Sequence, residues 1–414
     1  MSKKSLPVNR SSLMLEPLQK TSKNVSILVV TGETSGERHA AGLIEELKKW
    51  NPQWSISGFG SGGTYMKKAG VELLINVSKL SAIGTWEALF QAANYWKLYR
   101  QILKQVRKRK PQLAILVDFP DFNLRLVNRL KAMNIPVCYF IGPQLWAWRS
   151  SRIEKIRRYV DLMLVVFPFE EEYYRDRGVD AHYVGNPSVV LFPSPAQKNK
   201  EEVVRSLVDQ RVPTVALLPG SRKKEVEQIF PIQLDAARHI AKRQKVRFWV
   251  IKAPEIAQKQ LSKIYQQWTD SENCSLDLEI REEGISHLLP QVTCAVVKSG
   301  TSTLEASLLE VPFVMMYRIS WPSWFLIRPR VSAGTYCLAN LIAEKSVVPE
   351  FIQQEATGQN IGDYILEILQ NQECYSKIKK DLQLVSKKLG DHNAYECAAS
   401  YVGKFLTSKG ELVG

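Results

Sequence analysis

The chain has 414 residues, enough for two or three domains at roughly 100–200 residues each, and 45% hydrophobic with 23% charged residues is the composition of a folded chain, which excludes wholesale disorder. Lys and Arg exceed Asp and Glu by 56 to 41, and the net charge of +15 favours polyanionic partners: nucleic acid, anionic lipid headgroups or phosphorylated substrates. The six cysteines (Cys138, Cys274, Cys294, Cys337, Cys374, Cys397) show no CxxC or metal-ligand spacing, which speaks against a disulfide framework or a zinc module and for a reducing compartment.

Residues 1–24 are polar and basic, lack the apolar core of a signal peptide, and read as a disordered tail. No apolar run approaches the roughly 20 residues needed to span a bilayer. From residue 25 short apolar runs alternate with helical stretches. Val25–Thr31, Trp54–Phe59, Leu113–Val117, Val137–Ile141, Leu162–Phe167 and His182–Val184 read as strands, with helices at Arg38–Lys49 and Leu124–Met133 among those between them. Near-continuous apolar strands are buried on both faces, so the pattern predicts a parallel sheet covered by helices. The rhythm restarts after the polar stretch Pro193–Glu202. Strands are expected at Val215–Leu218, Arg247–Ile251, Leu276–Ile280, Cys294–Val297 and Phe313–Tyr317. Helices are expected at about Lys224–Arg243, Ala257–Trp268 and Thr303–Leu309, with a helical tail from Ile361 to Leu406. The fold class is α/β, with two doubly wound, Rossmann-like domains (25–192 and 193–414) and a cleft between them.

Open α/β sheets bind ligands beyond the carboxyl ends of their strands. Four clusters fall there: Thr31–Gly36, Asp118–Asp121, Pro219–Arg222 and Lys298–Thr303. Asp118 ends an apolar strand, where a carboxylate needs a partner or a ligand and is placed to take a proton from an attacking hydroxyl. Glu33 is a second candidate base. Asp121, before a helix, reads more readily as an N-cap. Arg222 suits a leaving diphosphate, or is a solvated arginine beside Lys223 and Lys224. Ser299, Gly300 and Thr301 precede a helix whose free N–H groups and dipole suit a diphosphate. Glu305, just inside that helix, either accepts from a ribose diol or serves as a capping carboxylate. The five histidines show no metal-ligand pairing, and no P-loop, GxSxG elbow or nucleic-acid-binding motif is present.

Two segments combine aromatics with positive charge. In Trp86–Lys110 an apolar series (Leu89, Ala92, Trp96, Tyr99, Leu103, Val106) recurs at helical spacing beside Arg100, Lys104 and Arg107–Lys110. The stretch Tyr317–Arg330 holds Trp321, Trp324, Phe325 and three arginines. Each is either a core stripe with a basic face or a contact with an anionic membrane, and their coincidence favours membrane contact for at least one of them.

The blocks TGETSGE (31–37), IGTWE (83–87), VDFPDFN (117–123), GPQLWAWRSSR (142–152), PFEEEYY (168–174), YVGNP (183–187), LLPGSRKKEVE (217–227), SGTSTLE (299–305) and YCLANLI (336–342), in this order, resemble the lipid-A-disaccharide synthase family of inverting GT-B glycosyltransferases. The resemblance implies transfer of 2,3-diacylglucosamine from UDP-2,3-diacylglucosamine to 2,3-diacylglucosamine 1-phosphate (lipid X), giving a β(1→6) disaccharide phosphate and UDP. It implies work at the inner face of the cytoplasmic membrane with no metal or other cofactor, no nucleic-acid partner, and dimers in some members. By motif position it implies Asp118 as catalytic base, Glu33 and Arg222 beside it, and Ser35, Gly36, Asp121, Asn123, Ser221, Ser299, Gly300, Thr301, Glu305 and Asn340 as substrate contacts. The chain departs from the family pattern at Glu37, where the family has Asp; at Asn186, where it has His; and at Ala339, where it has Pro. The first two departures are expected to retune substrate contacts, and the third to loosen a turn while leaving Asn340 available.

Overall fold

The computed structural model describes residues 24–32, 34–52, 54–76, 88–147, 149–193, 212–321, 324 and 334–411, and contains two parallel sheets. The first sheet is built from β1 (Asn24–Val30), β2 (Ser55–Gly62), β3 (Val71–Asn76), β4 (Leu113–Val117), β5 (Val137–Phe140), β6 (Leu162–Val165) and β7 (Ala181–Tyr183), in the order β3-β2-β1-β4-β5-β6-β7. The second contains β8 (Thr214–Leu218), β9 (Arg247–Ile251), β10 (Leu278–Arg281), β11 (Cys294–Lys298), β12 (Phe313–Tyr317) and β13 (Glu350–Ile352), in the order β10-β9-β8-β11-β12-β13. Each sheet begins at an inner strand and winds outward both ways, so the chain reverses its direction of winding between β1 and β4 and again between β8 and β11. Those two switch points are where a doubly wound sheet opens a crevice.

Helices cover both faces. They are α1 (Thr34–Trp50), α2 (Thr64–Lys68), α3 (Ala88–Arg109), α4 (Pro120–Ala132), α5 (Ile153–Tyr159), α6 (Pro168–Arg175), α7 (Pro187–Leu191), α8 (Lys223–Ala241), α9 (Gln258–Glu272), α10 (Ile285–Leu288), α11 (Thr301–Leu308), α12 (Leu338–Ala343), α13 (Gly358–Gln370), α14 (Gln372–Leu389) and α15 (Ala394–Glu411). Alternate residues of the central strands feed two separate cores, Ile27 and Val29 one and Leu28 and Val30 the other. The first of these cores continues into the second sheet, so one apolar interior runs through both halves.

Most expected strands form within a residue or two of their reading. Val71–Asn76 and Glu350–Ile352 were not foreseen. Both are edge strands, the former carrying an exposed Glu72 and the latter three residues long, so neither shows the apolar run of a central strand. The helical tail breaks twice. The Asn371 side chain accepts from the Glu373 and Cys374 amides and starts α14, and Gly390 ends it.

The last helix crosses back. Although α15 follows the second sheet in sequence, it packs along α1. Tyr395 hydroxyl and His39 Nδ1 lie 2.9 Å apart, the Tyr401 ring stacks on His182 at 4.4 Å, and the Tyr183 hydroxyl donates to Leu389 O at 2.7 Å. Burial, with Arg38 adding to it, lowers the His39 pKa to about 4, so this link is uncharged at neutral pH.

Gly403 makes the crossing possible, since a Cβ there would lie 2.4 Å from the Trp50 ring. Gly403→Ala is expected to destabilise the fold by about 1–2 kcal/mol, overpacking outweighing the roughly 1 kcal/mol gain in helix propensity. A denaturant midpoint at or above wild type would refute this docking account.

Candidate functional site at the two switch points

At the first switch point the β1–α1 turn lies against the end of β4. A Cβ on Gly32 would sit 2.3 Å from the Phe119 ring, and one on Gly36 would sit 2.6 Å from Thr31 Oγ1 and 3.8 Å from Asp118 Cβ. Only a glycine at 32 lets this turn and the Asp118–Phe119 peptide approach so closely. Asp118 is half-buried, at the mouth of the sheet. Its φ is 48° and that of Phe119 is 52°, both left-handed. The strained peptide is held by the Asp118 carbonyl, which accepts from Asn123 Nδ2 at 2.7 Å and from the Tyr139 hydroxyl at 2.7 Å. Burial, with Asp118 nearby, pushes the Tyr139 phenol well above its ordinary value, so it remains a donor.

Several expected substrate contacts have other work. Asn123 is fully buried beneath Asp118 and positions it. Asp121 is exposed, but it is not an N-cap: Phe119 holds that position, and Asp121 pairs with Arg149 at 3.0 Å and Arg152 at 2.5 Å, tying the segment ahead of α5 to α4. Burial would raise the Asp121 carboxyl, but Arg152, Arg149 and Arg125 together hold it below its ordinary value. Asn340 is not available to a ligand. It is buried, accepts from the Val347 and Val348 amides at 2.8 and 3.0 Å, and donates to Val348 O and to Glu350. Glu350 in turn takes the amides of Tyr336 and Cys337, so Asn340 shapes the loop ahead of α12.

The two departures expected to retune substrate contacts are buried structural groups. The Glu37 carboxylate caps α2 through the Tyr65 and Met66 amides. Asn186 accepts from Ser188 N at the start of α7 and donates to Val166 O. Ser35 is exposed at the start of α1. Glu33 and Phe325 lie outside the described residues.

The second switch point is electropositive. Arg222 N-caps α8 and is exposed, with Nη1 at 3.1 Å from Glu225 Oε1, and Ser221 beside it is exposed. Ser299 Oγ donates to Tyr336 O at 2.9 Å, Gly300 N-caps α11, and Thr301 is exposed at its first turn. The helix starts two residues earlier than expected and places Glu305 a full turn in. Its carboxyl receives the Ser302 hydroxyl, and Oε2 is buried without a hydrogen-bond partner. Burial raises its pKa to about 7. Lys298, named above only as the first residue of a strand-end cluster and given no role there, is the last residue of β11, and its Nζ lies 3.1 Å from Glu225 Oε1. A lysine that ends a strand looks like a solvated one, and only its depth marks it out.

The aromatic segments divide. Trp96 is 55% exposed, stacks on Tyr99 at 5.5 Å, and carries the Arg100 guanidinium 5.1 Å above its ring. Among the described residues of α3 the buried side chains are Leu98, Ile102, Leu103 and Val106, so Leu103 and Val106 of the expected series are buried, Trp96 is not, and Leu89 and Ala92 lie outside the described side chains. Trp321 is 45% exposed, but Trp324 is buried and packs on Tyr336, so it is not a surface contact. Among the described residues no helix is long and apolar enough to cross a membrane.

Comparison with known proteins identifies the family and the fold. The family model described as lipid-A-disaccharide synthetase matches residues 27–405. The lipid-A-disaccharide synthase of Myxococcus xanthus is 36% identical over 383 residues, covering 92% of this chain and 97% of its own. The enzyme of the same name from Koribacter versatilis is 34% identical over 390 residues, covering 93% of this chain and 98% of its own. Among solved structures, a UDP-GlcNAc 2-epimerase from Neisseria meningitidis bound to UDP-GlcNAc matches with TM-score 0.60 at 12% identity, over 93% of this chain and 100% of that one. The calicheamicin glycosyltransferase CalG4 matches with TM-score 0.58 at 12% identity, over 93% of this chain and 99% of that one. The two parallel-sheet domains are those of the GT-B fold.

The raised Glu305 carboxyl gives a stability test. A folded-state pKa above the unfolded value means the folded protein holds its proton longer, so stability falls as pH rises from about 4.5 to about 7. Glu305→Gln is expected to raise the melting temperature of the ligand-free protein at pH 8 and by less at pH 5. An equal shift at both values would show that the carboxyl is not desolvated.

Proposed function

The chain belongs to the lipid-A-disaccharide synthase family, and from that premise we propose that it transfers 2,3-diacylglucosamine from UDP-2,3-diacylglucosamine to lipid X. The observation that carries the reading is that one switch point holds a half-buried carboxylate on a locked backbone and the other a cationic helix start. Displacement at an anomeric carbon needs a base on one side and a stabilised leaving group on the other.

In this reading the 6-hydroxyl of lipid X attacks the anomeric carbon of the donor. The O–C1 bond forms on the face opposite the departing UDP, the C1–O bond to the diphosphate breaks, and the hydroxyl proton passes to Asp118. UDP carries away the bonding pair, and Arg222 with the first turn of α11 answers the charge developing on it. Glu305, with an unpartnered buried oxygen, accepts from the ribose diol. Closure of the two domains over the substrates keeps water from the donor.

The acyl chains call for an apolar approach. Phe119 stacks on Phe122 at 5.2 Å, Phe122 meets the Tyr99 edge at 6.2 Å, and Tyr99 stacks on Trp96. This file of rings leads from the Asp118 turn to an exposed tryptophan capped by a guanidinium, which supports peripheral binding at the cytoplasmic face of an anionic membrane through Trp96, Tyr99, Arg100 and Trp321. No metal or other cofactor is called for by the groups assigned, and a homodimer is the assembly the family suggests.

Mass spectrometry of products after mixing the protein with UDP-2,3-diacylglucosamine and lipid X should show the disaccharide 1-phosphate. Conversion of the UDP-sugar alone, without acceptor, would point to an epimerase instead. Asp118→Ala and Arg222→Ala are each expected to cut turnover by about 100-fold or more with the fold intact. Wild-type turnover in either would remove that residue from the mechanism. Trp96→Ala with Arg100→Glu should weaken sedimentation with phosphatidylglycerol vesicles. Unchanged sedimentation would exclude α3 as the membrane face.

A further inference from the structure

Lys298 is the only charged residue of β11, a strand otherwise made of Cys294, Ala295, Val296 and Val297. It stands at the carboxyl end, between β8 and β12, with its side chain 15% exposed. Desolvating an ammonium to that degree is costly unless something answers its charge. What answers it is one carboxylate oxygen that it does not have to itself. Glu225 Oε1 lies 3.1 Å from Lys298 Nζ and 3.1 Å from Arg222 Nη1. Two cations and one carboxylate leave the cluster a single unit positive. The Tyr317 ring, 5.7 Å from Nζ, adds only a weak cation–π attraction.

The backbone around this cluster is pared down to glycine. A Cβ on Gly220 would lie 3.1 Å from Glu225 Oε2 and 3.6 Å from Lys298 Cδ, and one on Gly300 would lie 3.9 Å from Lys298 Nζ. The turns that end β8 and β11 therefore both close on the same lysine, and α11 begins one residue after Gly300. Arg222 differs from Lys298 in exposure: its side chain is 73% exposed, and its bond to Glu225 spans less than one helical turn.

We infer that Lys298 is a diphosphate-binding residue of the donor site, and that Glu225 is the internal anion a diphosphate displaces from Arg222. The inference rests on the donor-site reading above and adds a residue to it. A bound diphosphate takes over Arg222, Glu225 remains with Lys298, and the fixed ammonium supplies the positive field that the exposed arginine cannot hold in place by itself.

The test is calorimetric titration of the full-length protein with UDP at two or more salt concentrations. Lys298→Met is expected to weaken UDP binding roughly 10- to 100-fold, the scale of a lost hydrogen bond to a charged group, and to flatten the dependence of affinity on salt. Lys298→Arg should restore affinity to within a few-fold. Glu225→Gln, which removes the competing anion, should bind UDP at least as tightly as wild type. UDP binding by a folded Lys298→Met within twofold of wild type, with an unchanged salt dependence, would overturn the inference. So would Lys298→Arg variants as weak as Lys298→Met, because they would show that packing and not charge matters at this position. Failure of the wild-type protein to bind UDP is a separate outcome, which defeats the donor-site reading itself.

Discussion

Left-handed backbone at a non-glycine residue costs about 1–2 kcal/mol, and the end of β4 holds two such residues in succession, Asp118 and Phe119. The rest of the first switch point depends on offsetting that cost. Asn123 and Tyr139 both donate to the Asp118 carbonyl, and the Phe119 ring lies over Gly32, where no side chain competes for the space. Pro120 then starts α4 at a position where its missing N–H is not needed. The turn ends the strand abruptly, halts Asp118 at the mouth of the sheet, and brings it beside Gly36 of α1. Strain of this kind persists only where the surroundings over-determine it, and it collects at functional sites.

The second switch point solves a different problem by different means. It carries no comparable pair of left-handed non-glycine residues. Gln233, fully buried beneath it, donates through Nε2 to Leu218 O and to Val296 O at 3.2 Å and so ties the end of β8 to the middle of β11. Above that clamp the groups are charged and exchangeable: an exposed arginine, a shared carboxylate and a sunken lysine. In the proposed reaction a base must be held at a fixed angle to a hydroxyl, whereas a leaving diphosphate needs field more than angle. Joining the halves is the task of α15, whose uncharged His39–Tyr395 contact adds no titrating group to the interface at neutral pH.

The central strands were legible because burial on both faces demands an apolar run, and the four clusters because glycine, proline and hydroxyl residues at strand ends mark switch points. The direction in which each side chain turns was not legible. VDFPDFN names Asp118 and Asn123 alike, yet one lies at the mouth and the other lies under it. Asn340 sits in a matching motif but spends its amide on Val347, Val348 and Glu350. Trp96 falls on the apolar stripe by spacing, but Leu98 and Ile102 take the buried face, because the helix presents them to the sheet while Trp96 lies to one side. Depth is a property of the packed chain, and a motif records only identity.

The positive balance of the whole chain is also distributed by depth. At the second switch point Arg222 and Lys298 share one carboxylate, and the Asp121 pairs absorb two more cations. Helix α3 stands apart. It contains no acidic residue, and Lys97, Arg100, Lys104, Arg107 and Lys108 are exposed along it, while Arg109 alone is drawn off by a two-pronged pair with Glu72. Cations without carboxylates on their own helix face repel one another, at a cost of a few tenths of a kcal/mol for each neighbouring pair. Such a face is relieved by an anionic surface, and salt screens that attraction within about 10 Å at 0.1 M. The same helix shows its tryptophan to solvent and connects through Tyr99 to the rings beside Asp118. Helix α3 therefore carries both a positive face and the outer end of a ring file that continues through Phe122 and Phe119 to Asp118, the arrangement that the proposed transfer between two acylated substrates calls for.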